Sequence, residues 1–246
     1  MDYTLYVAEK PSAGEVFALY LSRKTGQPAQ KMRDHYIIGK DIVVGWLRGH
    51  LVENVNPEVY DPALKDWSAS AHMLPFIPNQ FQLAVKENVK GLFSTIKQLA
   101  LKAREIVNCA DPDDQGELLS VQFLHFIGIH KPVKRLMAVD LSDKGLDRAF
   151  ASIKSSKEYE GNFYSALAQS HADWLYGINM TRACTLEVRK KGANILLNVG
   201  RVKTPLWAMI VRRELAIRNF VPKDFYKPWV KMQAKPGFRA NWIQGL

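Results

Sequence analysis

The first 153 residues alternate short apolar segments of strand length with segments that have helical periodicity. Residues 4–8, 105–110 and 135–139 have the strand character, and a helical pattern follows each of them. This alternation predicts a mainly parallel β-sheet covered by helices on both faces. Two further features fit beside that sheet: a hairpin around Gly39-Lys40, and a proline-rich, mostly extended or looped stretch over 54–80.

Helix boundaries are indicated by local signals. Ser12 and Glu15 have the spacing of a capping box, which predicts that the first helix begins at Ser12. Ser142 is predicted to cap a later helix. A further helix is predicted between these two, with Leu92, Ile96, Leu99 and Ala103 on its apolar face.

After Ile153 the pattern becomes helical only. Apolar residues repeat at helical intervals from Phe163 to Ile178, Gly192 suits a helix end, and Pro205 can open a further helix. From Val221 the pattern is extended again.

Basic residues outnumber acidic ones, and the excess is concentrated in one stretch. Lys and Arg number 34 against 24 Asp and Glu, a formal net charge of +10. Residues 182–219 hold nine Lys or Arg and two Glu, which favours a surface that follows phosphates. The two cysteines are far apart, and no signal peptide or membrane span is predicted. We therefore expect a cytoplasmic protein without a membrane partner.

An acidic run follows the second predicted strand. Asp111 and Asp113 are two residues apart, at the edge of a parallel sheet where ligands bind. Two such carboxylates suit Mg²⁺, but a plain acidic turn explains the run equally well. Glu9 and Lys10 end the first strand, and a Lys beside carboxylates can orient a phosphate or protonate a leaving oxygen. The alternative for this second pair is a surface ion pair of little energetic value.

Several segments together resemble type IA DNA topoisomerases of the topoisomerase III kind. They are residues 6–12 (Tyr-Val-Ala-Glu-Lys-Pro-Ser), 49–51 (Gly-His-Leu), 111–113 (Asp-Pro-Asp), 172–183 (Ala-Asp-Trp-Leu-Tyr-Gly-Ile-Asn-Met-Thr-Arg-Ala), 198–205 (Asn-Val-Gly-Arg-Val-Lys-Thr-Pro) and 221–225. The likeness spans nearly the whole chain in order.

The resemblance implies an α/β TOPRIM fold, which is Rossmann-like with a mainly parallel sheet. This TOPRIM domain is expected over 1–153, an all-α domain that binds single-stranded DNA over 154–220, and the beginning of a β-rich arch domain over 221–246. Members of the family cut one DNA strand through a tyrosine, pass a strand through the gap and reseal it with Mg²⁺ and without a nucleotide. Single-stranded or negatively supercoiled DNA is the implied partner, and protein partners are not indicated.

The resemblance also implies roles for individual residues. Glu9 lies near the scissile phosphate and Lys10 assists there, while Asp111 and Asp113 hold the metal together with Glu9. Arg182 and Arg201 are expected to contact the DNA backbone. The other residues expected in the DNA groove are Asp173, Trp174, Asn198, Gly200 and Lys203. For Trp174, packing in the core is an equally valid expectation.

The acidic run departs from the family pattern, in which Arg-Glu-Gly follows the two aspartates. This chain has Asp114-Gln115-Gly116, with Glu117 next, so Glu117 is a further candidate for the metal. Residues two apart on a helix point to nearly opposite sides, so a helix that begins before Gln115 would prevent a simple exchange of roles. We expect weaker or altered Mg²⁺ binding. Lys203 replaces the family's Gln and adds a possible phosphate contact.

None of the nine tyrosines has the Tyr-x-Arg-Thr context of the family nucleophile. Three functions are therefore compared: part of a longer topoisomerase that is inactive alone, a truncated protein that binds single-stranded DNA without cutting it, and a TOPRIM nuclease or primase. The third is the weakest, because those families lack segments like 173–174 and 200–201. The sequence does not separate the first two.

Overall fold

The computed structural model of the protein describes residues 2–129, 131–233 and 236–241. The chain divides into two compact units, Met1–Arg201 and Val202–Leu246, and each is described by itself.

A seven-stranded sheet forms the centre of the first unit. Its strands are β1 (Thr4–Ala8), β2 (Ala29–Lys31), β3 (His35–Ile38), β4 (Ile42–Trp46), β7 (Glu105–Cys109), β8 (Val133–Arg135) and β9 (Lys154–Ser155). They lie in the order β2-β3-β4-β1-β7-β8-β9, and β4, β1, β7 and β8 are mutually parallel. The predicted hairpin is β3–β4, with Gly39 at a positive φ of 58° in its turn.

Helices cover both faces of this sheet. Helices α1 (Pro11–Thr25) and α5 (Asp143–Ala151) contribute Phe17 and Leu146 to the core on one face. Helices α3 (Lys90–Lys102) and α4 (Asp114–Phe126) contribute Ile96 and Phe123 to the core on the other. The predicted α/β class with a mainly parallel sheet is thus confirmed.

Two local predictions were wrong. Helix α1 begins at Pro11, with Lys10 as an N-cap that makes no side-chain hydrogen bond, so Ser12 does not cap it. Proline fits the first helical position because its missing N–H has no partner there anyway. The strand predicted at 135–139 ends at Arg135, and Val139 is 85% exposed outside the sheet. Ser142 does cap α5, accepting a hydrogen bond from the Gly145 N–H.

The long helix α6 (Glu160–Lys190) packs against α4 and belongs to the same compact unit as the sheet. The segment 52–85 lies over α6 and contains β5 (Val52–Asn54), α2 (Pro57–Tyr60) and β6 (Leu83–Val85). Asn179 of α6 binds this segment through both sides of its amide, accepting from the Phe76 N–H and donating to the Phe76 carbonyl. The predicted helical region is confirmed in α6, but the expectation of helices only after residue 153 was wrong at β9, which pairs with β8 and extends the sheet. The domain boundaries at 153 and 220 stay predictions.

The second unit contains α7 (Lys203–Arg218) and an antiparallel hairpin of β10 (Trp229–Met232) and β11 (Phe238–Asn241). Helix α7 begins two residues before Pro205, which lies in its first turn. The hairpin agrees with the predicted β-rich beginning after 221, although 234–235 and 242–246 lie outside the described residues. Within the described ranges, no helix combines the length and apolar character that crossing a bilayer requires.

Candidate metal centre and nucleic-acid interface

Strands β1 and β7 bring the two predicted groups of charged residues together. They pair in parallel with Ala8 opposite Cys109, so Glu9 and Asp111 follow the strand ends at the same edge of the sheet. The Glu9 carboxylate Oε2 accepts the Asp111 backbone N–H at 3.0 Å. The Lys10 ammonium lies 2.8 Å from Asp111 Oδ2.

The charges at this edge act on one another. Burial raises the pKa of Glu9, and the negative charges of Asp111 and Asp113 raise it further, against the Asp111 N–H and Lys10, which lower it. The hydrogen bond to Asp111 raises the pKa of Lys10. Three carboxylates, those of Glu9, Asp111 and Asp113, thus lie near the Lys10 ammonium, so the charge of these four groups is negative in sum.

Asp113 ends the turn and begins α4. Its Oδ1 accepts the Gly116 N–H at 2.7 Å as a helix N-cap, and its own N–H donates to the Asp111 carbonyl at 2.9 Å. Gly116 packs tightly against this turn, because a Cβ at that position would lie 2.2 Å from the Asp111 carbonyl oxygen.

Gly116→Ala is expected to lower the free energy of unfolding by about 1–3 kcal/mol, since the added methyl group displaces the turn. Gly91→Ala, in the first turn of α3, is the matched control because nothing lies within 4 Å of the point that its added methyl group would occupy. The control is expected to be neutral or to stabilise by up to about 1 kcal/mol. Urea unfolding of both variants measures the difference, and equal effects would contradict the tight turn.

Three carboxylate oxygens at the edge are open to a ligand. Among the described residues, Glu9 Oε1, Asp111 Oδ1 and Asp113 Oδ2 have no hydrogen-bond partner. Over the same ranges, no three Asp, Glu, His or Cys converge closely enough to hold a metal ion by themselves. A hard cation that uses one or two carboxylates and keeps its waters fits this arrangement.

Gln115 and Glu117 lie in different surroundings, because α4 has already begun at Asp114. Gln115 is exposed and lies near His50, whose pKa is lowered by burial and by Lys86 while Gln115 raises it. Glu117 is 2% exposed and pairs with the buried Arg135 at 2.7 Å. Metal binding by Glu117 stays a prediction, and the buried ion pair with Arg135 counts against it.

A cavity of about 430 Å³ lies between α6 and the segments at 56–67 and 196–199. It brings together four of the residues predicted for the DNA groove, Asp173, Trp174, Arg182 and Asn198. Trp174 also packs edge-on against the ring of Phe81, with the ring centres 5.5 Å apart. The groove role and the packing role of Trp174 are therefore compatible.

The two predicted arginines differ in accessibility. Arg201 forms a two-pronged ion pair with Asp173, with Nε–Oδ1 at 2.6 Å and Nη2–Oδ2 at 3.2 Å, and both side chains are about half exposed. Arg182 is 3% exposed, donates to the Leu64 carbonyl at 2.8 Å and contacts Glu58 at 3.2 Å. Contact between Arg182 and DNA stays a prediction. To bind a phosphate, Arg182 would have to release Leu64 and Glu58.

The last two predicted groove residues flank the division between the units. Gly200 precedes Arg201 in the first unit. Lys203 is the exposed first residue of α7 in the second unit.

Known proteins resemble this chain in sequence and in fold. Residues 4–141, more than half of the chain, match the Toprim domain family, and residues 157–244 match a DNA topoisomerase family. The chain belongs to the Toprim family. The predicted topoisomerase III resemblance is confirmed by DNA topoisomerase 3 of Haemophilus influenzae, 37% identical over 94% of this chain, and that of Bacillus subtilis, 36% identical over 92%.

This Toprim-containing chain spans about a third of the length of the curated relatives it matches, 36% of the Haemophilus protein and 30% of the Bacillus protein. Among solved structures, full-length topoisomerase I from Thermotoga maritima has the same fold, with a TM-score of 0.55 at 18% identity. That likeness covers 91% of this chain and 32% of the Thermotoga chain.

Sequence reasoning missed three contributors to these sites. Arg135 supports the acidic turn of the Toprim domain, Glu58 pairs with Arg182, and Asn179 binds the segment over α6. A signal existed only for Arg135, because an arginine in a predicted buried strand needs a partner.

Proposed function

We propose that this chain is the Toprim and single-strand-binding part of a topoisomerase III-like enzyme that cuts and rejoins one DNA strand with Mg²⁺. The observation that carries the proposal is the meeting of Glu9, Lys10 and Asp111 at the carboxyl edge of the parallel strands. The family match of the two halves of the chain supports the same activity.

Glu9, Asp111 and Asp113 are the residues proposed to hold Mg²⁺. The observation that tests the fit is the surplus of negative charge at the edge, where burial and, after it, the neighbouring carboxylates raise the pKa of Glu9. Bound there, Mg²⁺ would neutralise charge on a DNA phosphate, and its preference for one or two carboxylates plus waters suits the open oxygens. Gln115 contributes no charge, which supports weaker binding than in relatives with Glu at that position.

Lys10 and Glu9 are proposed to act on the phosphate itself. The Lys10 ammonium is about half exposed, so it can reach an incoming phosphate as well as Asp111. From there it would bind a phosphate oxygen or donate a proton to the leaving 3′ oxygen. The Glu9 carboxylate accepts the Asp111 N–H, and this bond would fix its orientation beside the bound phosphate.

Single-stranded DNA is proposed to bind along α6 and the segment 196–201. Arg201 supplies an accessible guanidinium, and Trp174, Asn198 and the cavity beside them offer room for bases or sugar. Gly200 lets the backbone approach a phosphate. On the second unit, Lys203 is proposed by itself as a phosphate contact. Such a substrate would place the protein on nucleoid or plasmid DNA in the cytoplasm.

A second candidate is a protein that binds single-stranded DNA without cutting it. It is favoured by the tyrosines, none of which has the family context. The strand-cleaving nucleophile is therefore not assigned to any residue of this chain.

The test combines binding and activity on the same purified chain. We expect it to bind a labelled oligothymidylate, with an affinity that falls steeply as salt rises. We expect no relaxation of negatively supercoiled plasmid with Mg²⁺ present. Failure to bind at low salt would contradict the proposed function, and Mg²⁺-dependent relaxation would contradict the absence of a nucleophile.

A further inference from the structure

The side chain of Arg135 lies directly behind the acidic turn. It projects from the end of β8, is 1% exposed, and has a guanidinium surrounded by backbone carbonyls. Nη1 donates to Ala110 O at 2.7 Å and to Leu136 O at 3.1 Å, and Nη2 donates to Asp111 O at 2.7 Å. One buried cation therefore fixes two consecutive carbonyls of the turn.

Glu117 supplies the counter-charge from α4. Its Oε2 lies 2.7 Å from Arg135 Nε, an ion pair in which the N–H is not aligned for a hydrogen bond. Ser156 Oγ donates to Oε1 at 2.9 Å, and Asn108 Nδ2 donates to Oε2 at 3.3 Å. Burial raises the pKa of Glu117, and the Arg135 charge and the Ser156 hydrogen bond oppose that shift.

Asp111 is consequently held on both sides of its backbone. Its N–H is bound by Glu9, while its carbonyl accepts from Arg135 and from the Asp113 N–H. A carboxylate on a backbone fixed in this way has little freedom to change its direction. Supporting groups of this kind typically change metal affinity strongly, although they do not touch the metal.

We propose that Arg135 and Glu117 are positioning residues that hold the Asp111–Asp113 turn in the shape that binds a divalent cation. This rests on the proposed metal site and gives Glu117 a role behind the turn. A buried ion pair is weak evidence for stability in itself, because the desolvation cost of the charges offsets much of their attraction. The contacts of Arg135 with the Ala110 and Asp111 carbonyls instead indicate that the pair shapes the turn.

The double variant Arg135→Met/Glu117→Gln separates positioning from charge. It removes one positive and one negative charge, so the net charge behind the turn is unchanged. The amide introduced at position 117 would still have atoms to bond Ser156 and Asn108, and the methionine introduced at position 135 fills space without a strong hydrogen-bonding group. The carbonyls of Ala110 and Asp111 lose their bonds to Arg135, while the Asp111 carbonyl keeps the Asp113 N–H.

Calorimetric titration with Mg²⁺ compares the double variant with the unaltered chain. We expect about tenfold weaker binding in the variant. Ile96→Ala, which opens the fully buried core under α3 away from the turn, is the control for general destabilisation and is expected to bind Mg²⁺ normally. Unchanged Mg²⁺ affinity in a folded double variant would overturn the proposal.

Hydrogen exchange provides a readout that needs no metal. The amides of Asp111, Asp113 and Gly116 are expected to exchange faster in the double variant and at the normal rate in Ile96→Ala. If the unaltered chain binds no Mg²⁺, the proposed metal site fails, and exchange alone decides whether Arg135 positions the turn. If the double variant does not fold, Glu117→Gln alone is measured, and unchanged exchange at these amides in that variant overturns the proposal.

Discussion

Asp111→Asn is expected to weaken Mg²⁺ binding by on the order of 100-fold, because it removes a charged ligand and leaves a neutral oxygen. The change keeps the side-chain shape and leaves the backbone N–H that Glu9 accepts, so the fold should be intact. Lys10 loses its ion-pair partner, and the edge is left with one carboxylate fewer to attract a cation.

The matched control is Asp114→Asn, which removes the same charge from the adjacent residue. Asp114 accepts a hydrogen bond from Asn162 and points to α6. We expect its Mg²⁺ affinity to stay within about threefold of the unaltered chain, because the Asp114 carboxylate is bound by Asn162 and is not one of the proposed metal ligands. Equal losses in the two variants would mean that the cation senses only the overall charge of the run, as at a plain acidic turn.

Arg201→Ala and Asp173→Asn are expected to change DNA affinity in opposite directions. Arg201→Ala should weaken binding to oligothymidylate by about tenfold and reduce the slope of affinity against salt by roughly one unit. Asp173→Asn should strengthen binding several-fold, because the carboxylate that competes with phosphate for the guanidinium is gone. Their exposed ion pair contributes little to stability, so both variants should stay folded.

Lys24→Ala is the control for this second prediction. Lys24 pairs with Asp147 on the face of the sheet opposite α4 and α6, and its loss removes one positive charge. Fluorescence anisotropy across a salt series should show a much smaller change than Arg201→Ala. If Lys24→Ala and Arg201→Ala weaken binding equally, the protein binds DNA by its net charge rather than along α6.

The acidic edge was predictable because it depends on a simple rule. The ends of adjacent parallel strands meet, so Glu9 after one strand and Asp111 after another had to approach each other once the alternation of strands and helices was recognised. The N-cap role of Asp113 was not predicted, although Asp is among the residues preferred at that position.

The surroundings of Glu117 and Arg182 were not predictable in this way. Whether each one faces solvent or a partner depends on residues far away in sequence, such as Arg135 for Glu117 and Glu58 for Arg182. A single sequence shows that a charged residue lies on a helix, but it does not show what packs over that side of the helix. The third strand was misplaced for the same reason, because pairing with β9 and β7 decides where β8 ends.

The most direct test of the acidic edge as a divalent-cation site is paramagnetic broadening by Mn²⁺ in amide NMR spectra of the chain. Substoichiometric Mn²⁺ is predicted to remove the signals of Glu9, Lys10, Asp111 and residues 113–116 first, and excess Mg²⁺ is predicted to restore them. Signals of α5, on the other side of the sheet, should persist. Broadening that begins elsewhere, or none at these residues, would contradict the metal site on which the proposed function depends.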